Sequence, residues 1–202
     1  MPSFVSDTFA FACARREAWE IIHSEPSAHL GLEDPSRIRA FDAAKQHVEA
    51  STVALLHTTW SAFLSRAESI KYTTRYKGLL GRKPDSRTLA QQRWWSRQLV
   101  KTTGKTLFVG VSIEPDRSGA RYALYAYIEA PEVHLDALEA LLAPEPRYRL
   151  REETYLYLSE QALNEGDAYE DLAARLVEGA WPVIERASVL LSPRRGAKAK
   201  DE

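Results

Sequence analysis

The 202-residue chain is 45% hydrophobic, 27% charged and 10% aromatic, a composition that can bury a core and excludes collagen-like, low-complexity and wholly disordered proteins. It has no run of about 18 apolar residues, no charged-then-apolar leader, and one cysteine, Cys13, so a soluble, cytoplasmic protein without disulfides or membrane contact is expected. The formal net charge of -1 conceals a segregation that favours an acidic or polyanionic partner: 66–105 carries eleven basic residues against two acidic ones, net +9, leaving 16 basic and 26 acidic elsewhere, net -10.

Asp7 is placed to cap a first helix running to about Ser24, with Phe11, Ala14, Ala18 and Ile22 on one face. Asp34-Pro35 starts a second helix, because proline at the first helical position loses no hydrogen bond and the aspartate accepts from orphan N–H groups. Its apolar stripe, Ile38, Phe41, Val48, Leu55, Ala62 and Phe63, runs to about Arg66. Gly78, Gly81 and Pro84 mark a loop, after which Asp85 or Ser86 caps a helix to about Lys101. On that helix Thr88, Gln92, Trp95 and Leu99 share one face. Arg93, Arg97 and Lys101 share another, lining up three cations that call for a counter-charge.

After Gly104 the apolar period changes. Thr106 to Ile113 alternates Leu107, Val109, Val111 and Ile113 with Phe108, Gly110 and Ser112, residues 115–119 form a turn, and Arg121 to Glu129 completes a hairpin. Pro131 to Ala143 reads as a helix with Leu135, Leu138, Leu141 and Leu142 inward, and Arg147 to Leu158 as a third extended segment, bent near Glu152-Glu153. Asp167 caps a final helix carrying Tyr169, Leu172, Leu176, Val183 and Ala187, kinked or restarted at Gly179 to Pro182, and Pro193 to Glu202 is a flexible tail. The class is α+β: a helical N-terminal half packed on a small antiparallel sheet of β-hairpin, helix, strand and helix. One domain over 1–192 is expected, with a subdivision near 104 left open between a mainly helical 1–104 and the 105–192 unit.

Gly104-Lys105-Thr106 matches the end of a phosphate-binding loop, but position 99 is leucine where that pattern needs glycine, and the segment precedes a strand instead of opening a helix. His23, His29, His47, His57 and His134 lack metal-ligand spacing, no Gly-x-Ser-x-Gly elbow occurs, and Cys13 lies on an apolar-periodic helix where a thiol is inert. Glu129, Glu152, Glu153 and Asp116 supply acids without the lysine of a metal-dependent nuclease. No catalytic residue, metal or cofactor is assigned, and a hydrolase or nuclease with dispersed groups ranks behind two binding functions.

If the alternating Leu and Val residues face a core, the opposite sheet face collects Phe108, Arg121, Tyr125, Tyr127, Arg147, Arg149, Arg151, Tyr155 and Tyr157. Rings on a sheet stack bases while guanidiniums hold phosphates; equally, Tyr and Arg suit a second core layer. Leu107-Phe-Val-Gly110 resembles the first aromatic strand signature of RNA-recognition modules and Arg121 to Tyr127 echoes the second. Only a turn separates the two here, so the likeness is one of chemistry and not of topology.

The leading expectation is a non-enzymatic binding module for nucleic acid. Lys71, Arg75, Lys77, Arg82, Lys83 and Arg87 would contact phosphates, Arg93, Arg97 and Lys101 would align along the backbone, and Trp94 and Tyr76 would stack, with Trp19 and Trp95 in the core. The alternative is a protein-interaction subunit, an adaptor or inhibitor, docking an acidic partner on the same patch or a basic partner elsewhere. Residues 132–171, with eleven acids against three arginines, offer internal neutralisation of the patch. An edge strand or the long helix offers a route to a homodimer.

Overall fold

A computed structural model describes residues 3–24, 31, 33–69, 84–102, 105–142, 150–152 and 155–191. Its helices are α1 (Asp7–Ala14), α2 (Arg16–Ser24), α3 (Pro35–Ser69), α4 (Ser86–Gln92), α5 (Glu132–Leu142) and α6 (Tyr169–Leu191). Its strands are β1 (Trp94–Thr102), β2 (Lys105–Pro115), β3 (Tyr122–Glu129), β4 (Leu150–Glu152) and β5 (Tyr155–Ala162), joined in one antiparallel sheet of order β1-β2-β3-β5-β4. Helices dominate the first half and the sheet the second, the α+β class that the change of period implies.

The first helix is two. Arg15 leaves helical geometry at φ -139 and ψ 109, and the Arg16 N–H donates to the Ala120 carbonyl at 3.0 Å, tying the start of α2 to the turn before β3. The break changes the buried face: Phe9, Ala12, Cys13, Trp19 and Ile22 are buried, whereas Phe11 and Ala14, expected inward, are exposed. In α3 the predicted cap is present, Asp34 accepting from the Ser36 N–H at 2.8 Å, and Val48, Leu55 and Phe63 are buried along the predicted stripe. This helix packs on α6, where Phe63 meets Trp181 at 6.5 Å between ring centroids.

The largest correction concerns the helix expected from Asp85 to Lys101. It ends at Gln92, and Trp94–Thr102 is strand β1, paired with β2 from Trp94 opposite Ser112 to Thr102 opposite Lys105. Paired with β2, the segment satisfies its backbone groups along a strand already bound on its other side to β3, and Trp95 packs against the core. A second correction follows from the sheet: the third extended segment is two strands, β4 and β5, paired with each other, so five strands replace the expected three. In α6, Tyr169, Leu172, Leu176, Val183 and Ala187 are buried as expected, but the helix runs through Pro182 without restarting. The Asp167 carboxylate closes the preceding turn, accepting from the Asn164 N–H at 3.1 Å. The expected tail, 193–202, lies outside the described residues.

The two sheet faces differ. Leu107, Val109, Val111 and Ile113 of β2, with Leu124, Ala126 and Ile128 of β3 and Leu156 of β5, are buried in one apolar cluster with the helices. On the other face Ala123, Tyr125, Tyr127 and Tyr157 form a second buried cluster against Tyr155. Small residues make room for these rings: Tyr127 lies across Gly110, its cross-strand partner, and Tyr125 is registered against Ser112.

Candidate functional site

The short helix α4 organises a basic cavity. Asp85 caps it, accepting from the Thr88 N–H at 2.9 Å and the Thr88 hydroxyl at 2.6 Å, and so sets Arg87 in its first turn. At the other end Arg93 adopts a left-handed backbone, φ 59 and ψ 18. Its N–H donates to the Leu89 carbonyl at 2.9 Å, and its own carbonyl accepts from the Ile113 N–H at 3.0 Å, so helix and sheet hold it from both sides. Glycine usually fills this position because an L side chain costs about 1 kcal/mol there. The retained side chain has defined contacts: its guanidinium sits 6.0 Å from the Trp19 ring centroid and interacts with the Tyr122 hydroxyl.

Trp19 is fully buried and stacks on Tyr122 at 4.6 Å on one side and meets His23 at 4.4 Å on the other. These rings come from α2 and β3, and His23 carries the group to the surface of a cavity. That cavity, of about 460 Å³, is lined by His23, Glu49, Arg87, Ala90, Gln91 and Arg93. Lys45, one turn before Glu49 on α3, adds to the field: burial first, then the positive charges of Arg93 and Lys45, lower the His23 pKa from 6.5 to about 4. The His23 Nε2 is buried with no hydrogen-bond partner, and among the described residues neither Arg87 nor Arg93 forms an ion pair with a carboxylate. The arrangement is electropositive and suited to an anion bearing several oxygen acceptors.

Of the expected phosphate contacts, Arg87 and Arg93 come together here, whereas Lys71, Arg75, Lys77, Arg82 and Lys83, with Tyr76, lie outside the described residues. The Arg93, Arg97 and Lys101 row does not exist, because Arg93 is the left-handed residue that closes α4 before β1 begins, and an irregularity between Gln98 and Val100 puts Lys101 out of step with Arg97. Arg97 is registered against Val109 on the helix-covered face, its guanidinium 4.2 Å from the Trp95 ring centroid, and Lys101 is paired with Thr106. Trp94 is 41% exposed, Trp95 packs on the core and Trp19 is buried, as expected of all three.

The arginine and tyrosine sheet face is also corrected. Tyr125, Tyr127 and Tyr157 are buried, with Tyr125 meeting Tyr157 edge-on at 5.1 Å and the Tyr157 hydroxyl donating to Glu114 at 2.5 Å. Glu114, Glu129 and Glu160 surround the rings; burial first and these carboxylates next push the phenols of Tyr125 and Tyr127 up, and the same carboxylates oppose a phosphate on this face. Arg121 stands in the turn, 3.7 Å from Asp116, and Arg151 is registered against Leu156, out of step with the tyrosines. Arg147 and Arg149 lie outside the described residues.

His23, Lys45, Glu49, Gln91 and Tyr122 were not expected at a site. Four segments far apart in sequence supply them, and the one local signal was an arginine where a short capped helix needs a left-handed residue. Cys13 is buried and its thiol pKa is pushed up by burial. Among the described residues no three His, Cys, Asp or Glu side chains converge to hold a metal, and no helix is long and apolar enough to cross a membrane. No family model, curated protein or solved structure matches the chain.

Proposed function

We propose that the protein is a non-enzymatic binding module that engages nucleic acid through the surface running from Arg87 to the start of β1. The observation that carries this reading is the convergence of Arg87 and Arg93 on one electropositive cavity, at the point where the exposed Trp94 begins an edge strand. Guanidiniums supply charge-assisted contacts to phosphate oxygens, and an exposed indole supplies a stacking surface for any base. The tyrosine face takes no part, because its rings are buried among carboxylates.

The test is fluorescence-anisotropy binding of single- and double-stranded DNA and RNA with hydroxyl ends, across a salt series. Affinity is expected to fall linearly on the log–log salt plot. Arg87→Ala should make the slope shallower by about one unit for each phosphate that Arg87 neutralises, and Trp94→Ala should weaken single-stranded ligands by roughly 1–3 kcal/mol. Absence of binding to all four ligands at low salt overturns the reading.

A second reading, a protein-docking subunit, draws on a different observation. Phe11, 53% exposed, borders an apolar recess with Ala10, Ala14 and Leu163, and Phe4 is 59% exposed. If nucleic acid fails to bind, pull-down with a Phe11→Ser control is the experiment that follows.

A further inference from the structure

The His23 cavity has more definition than a strip of surface cations needs. Its volume of about 460 Å³ exceeds what a bare phosphate fills and falls in the range of small-molecule sites, roughly 300–1,000 Å³. Its lining is chemically divided: Arg87 and Arg93 give two guanidinium forks, Gln91 an amide, His23 an imidazole, and Glu49 a lone carboxylate. A ligand that is only an anion would leave Glu49 opposed. One that carries an anionic group and a neighbouring hydroxyl satisfies both ends of the cavity.

We propose that this cavity is a phosphomonoester site, in which Arg87 and Arg93 hold the phosphoryl oxygens, the His23 imidazole completes the set, and Glu49 accepts from a hydroxyl of the attached sugar. This deepens the nucleic-acid reading and rests on it only for the source of the phosphate, which is either the end of a strand or a free nucleotide. The selection of monoester over diester follows from the proton count. A phosphodiester has one fixed charge, whereas a monoester has a second ionisation near pH 6 and therefore a proton to share with an imidazole. Whichever partner holds that proton, one N···H···O bond to the imidazole forms. The groups around His23 are Trp19 on its own helix, Lys45 and Glu49 on α3, Arg87 and Gln91 on α4, and Arg93 at the start of the sheet. Burial first, and then the charges of Arg93 and Lys45, keep the imidazole neutral until an anion arrives.

The experiment compares full-chain binding of one single-stranded oligonucleotide carrying a 5′-phosphate, a 3′-phosphate or hydroxyls only, with adenosine 5′-monophosphate and adenosine as free ligands. A terminal phosphate on at least one end is expected to tighten binding about tenfold or more, about 1.4 kcal/mol. Arg87→Ala and Arg93→Lys should bring the ratio of phosphorylated to hydroxyl-ended affinity down to about one, whatever each variant does to strand binding itself. In parallel, the His23 imidazole resonances of wild-type protein should report an apparent pKa raised by about one unit or more with adenosine 5′-monophosphate and unmoved by adenosine, a readout that needs no variant to fold. Equal affinities for all three strands, together with an unmoved His23, overturn this inference and leave the nucleic-acid reading standing. Binding of adenosine 5′-monophosphate with no strand bound at low salt upholds the site and overturns the nucleic-acid reading.

Discussion

Arg93 is strained in backbone and specified in side chain, which makes it the residue where stability and binding separate most cleanly. Replacing it with glycine releases about 1 kcal/mol of left-handed strain and gives up a cation–π interaction worth about 0.5–1 kcal/mol, so Arg93→Gly should unfold in urea within about 1 kcal/mol of wild type. Its affinity for a polyanion should nevertheless drop; a variant that keeps full affinity would remove Arg93 from the site. His23 carries a pH signature. Its folded pKa of about 4 lies below the ordinary 6.5, so as pH falls through that window the unfolded chain takes the proton first and stability is lost. The slope is at most about 1.4 kcal/mol per pH unit, less with partial solvent contact. Asp34 and Asp116 are held below the ordinary carboxylate range, Asp34 by hydrogen bonds from Ser36 and Asp116 mainly by one from Ser118, so they add their losses only below about pH 4. Urea midpoints from pH 7 to pH 4.5 should therefore fall in wild type and flatten in His23→Gln. Gly110 makes the matching structural point: a methyl there would enter the Tyr127 ring, so Gly110→Ala should cost about 2 kcal/mol in the same assay, with unchanged polyanion binding.

The element that decides the site is the junction of α4 with β1. Asp85→Ala removes the two hydrogen bonds that cap α4 and should cost about 1 kcal/mol in chemical denaturation while weakening the Arg87 contribution to binding. Trp95→Ala, on the half-buried face of β1, should cost about 2 kcal/mol, short of the roughly 3–5 kcal/mol of a fully buried tryptophan, and it removes the ring beneath Arg97. The helix start at Asp85 was legible, because capping is a local interaction. The helix end was not: Arg93, Arg97 and Lys101 fall at helical spacing, and a seven-residue helix has too few turns for periodicity to betray where it stops. The signal that competed was Val100-Lys-Thr-Thr-Gly104 followed at once by an alternating run, the pattern of a hairpin. The same limit split the first helix at Arg15, where the reason is a backbone bond to Ala120, a hundred residues away in sequence.

At the scale of the whole molecule, two opposite charges share one chain, and where they lie relative to each other governs every partner. The carboxylates Glu114, Glu129 and Glu160 sit with the tyrosines, while Arg87, Arg93 and Lys45 gather around His23 on the helical side. Binding of a polyanion should accordingly be strongly salt-dependent at the helical side and insensitive to Tyr155→Phe, which anisotropy can check directly. The amino-acid sequence by itself determined the class, the long capped helix α3, the hairpin of β2 and β3, the inward Leu135 and Leu138 of α5 and the buried stripe of α6, because each rests on contacts within one element or on a period repeated along it. Only the tertiary structure decided that β1 is a strand, that the tyrosine face is closed, and that His23, Glu49, Arg87 and Arg93 share a cavity. Those outcomes depend on pairing and packing between segments distant in the chain, and local periodicity carries no information about which distant segment will be the neighbour.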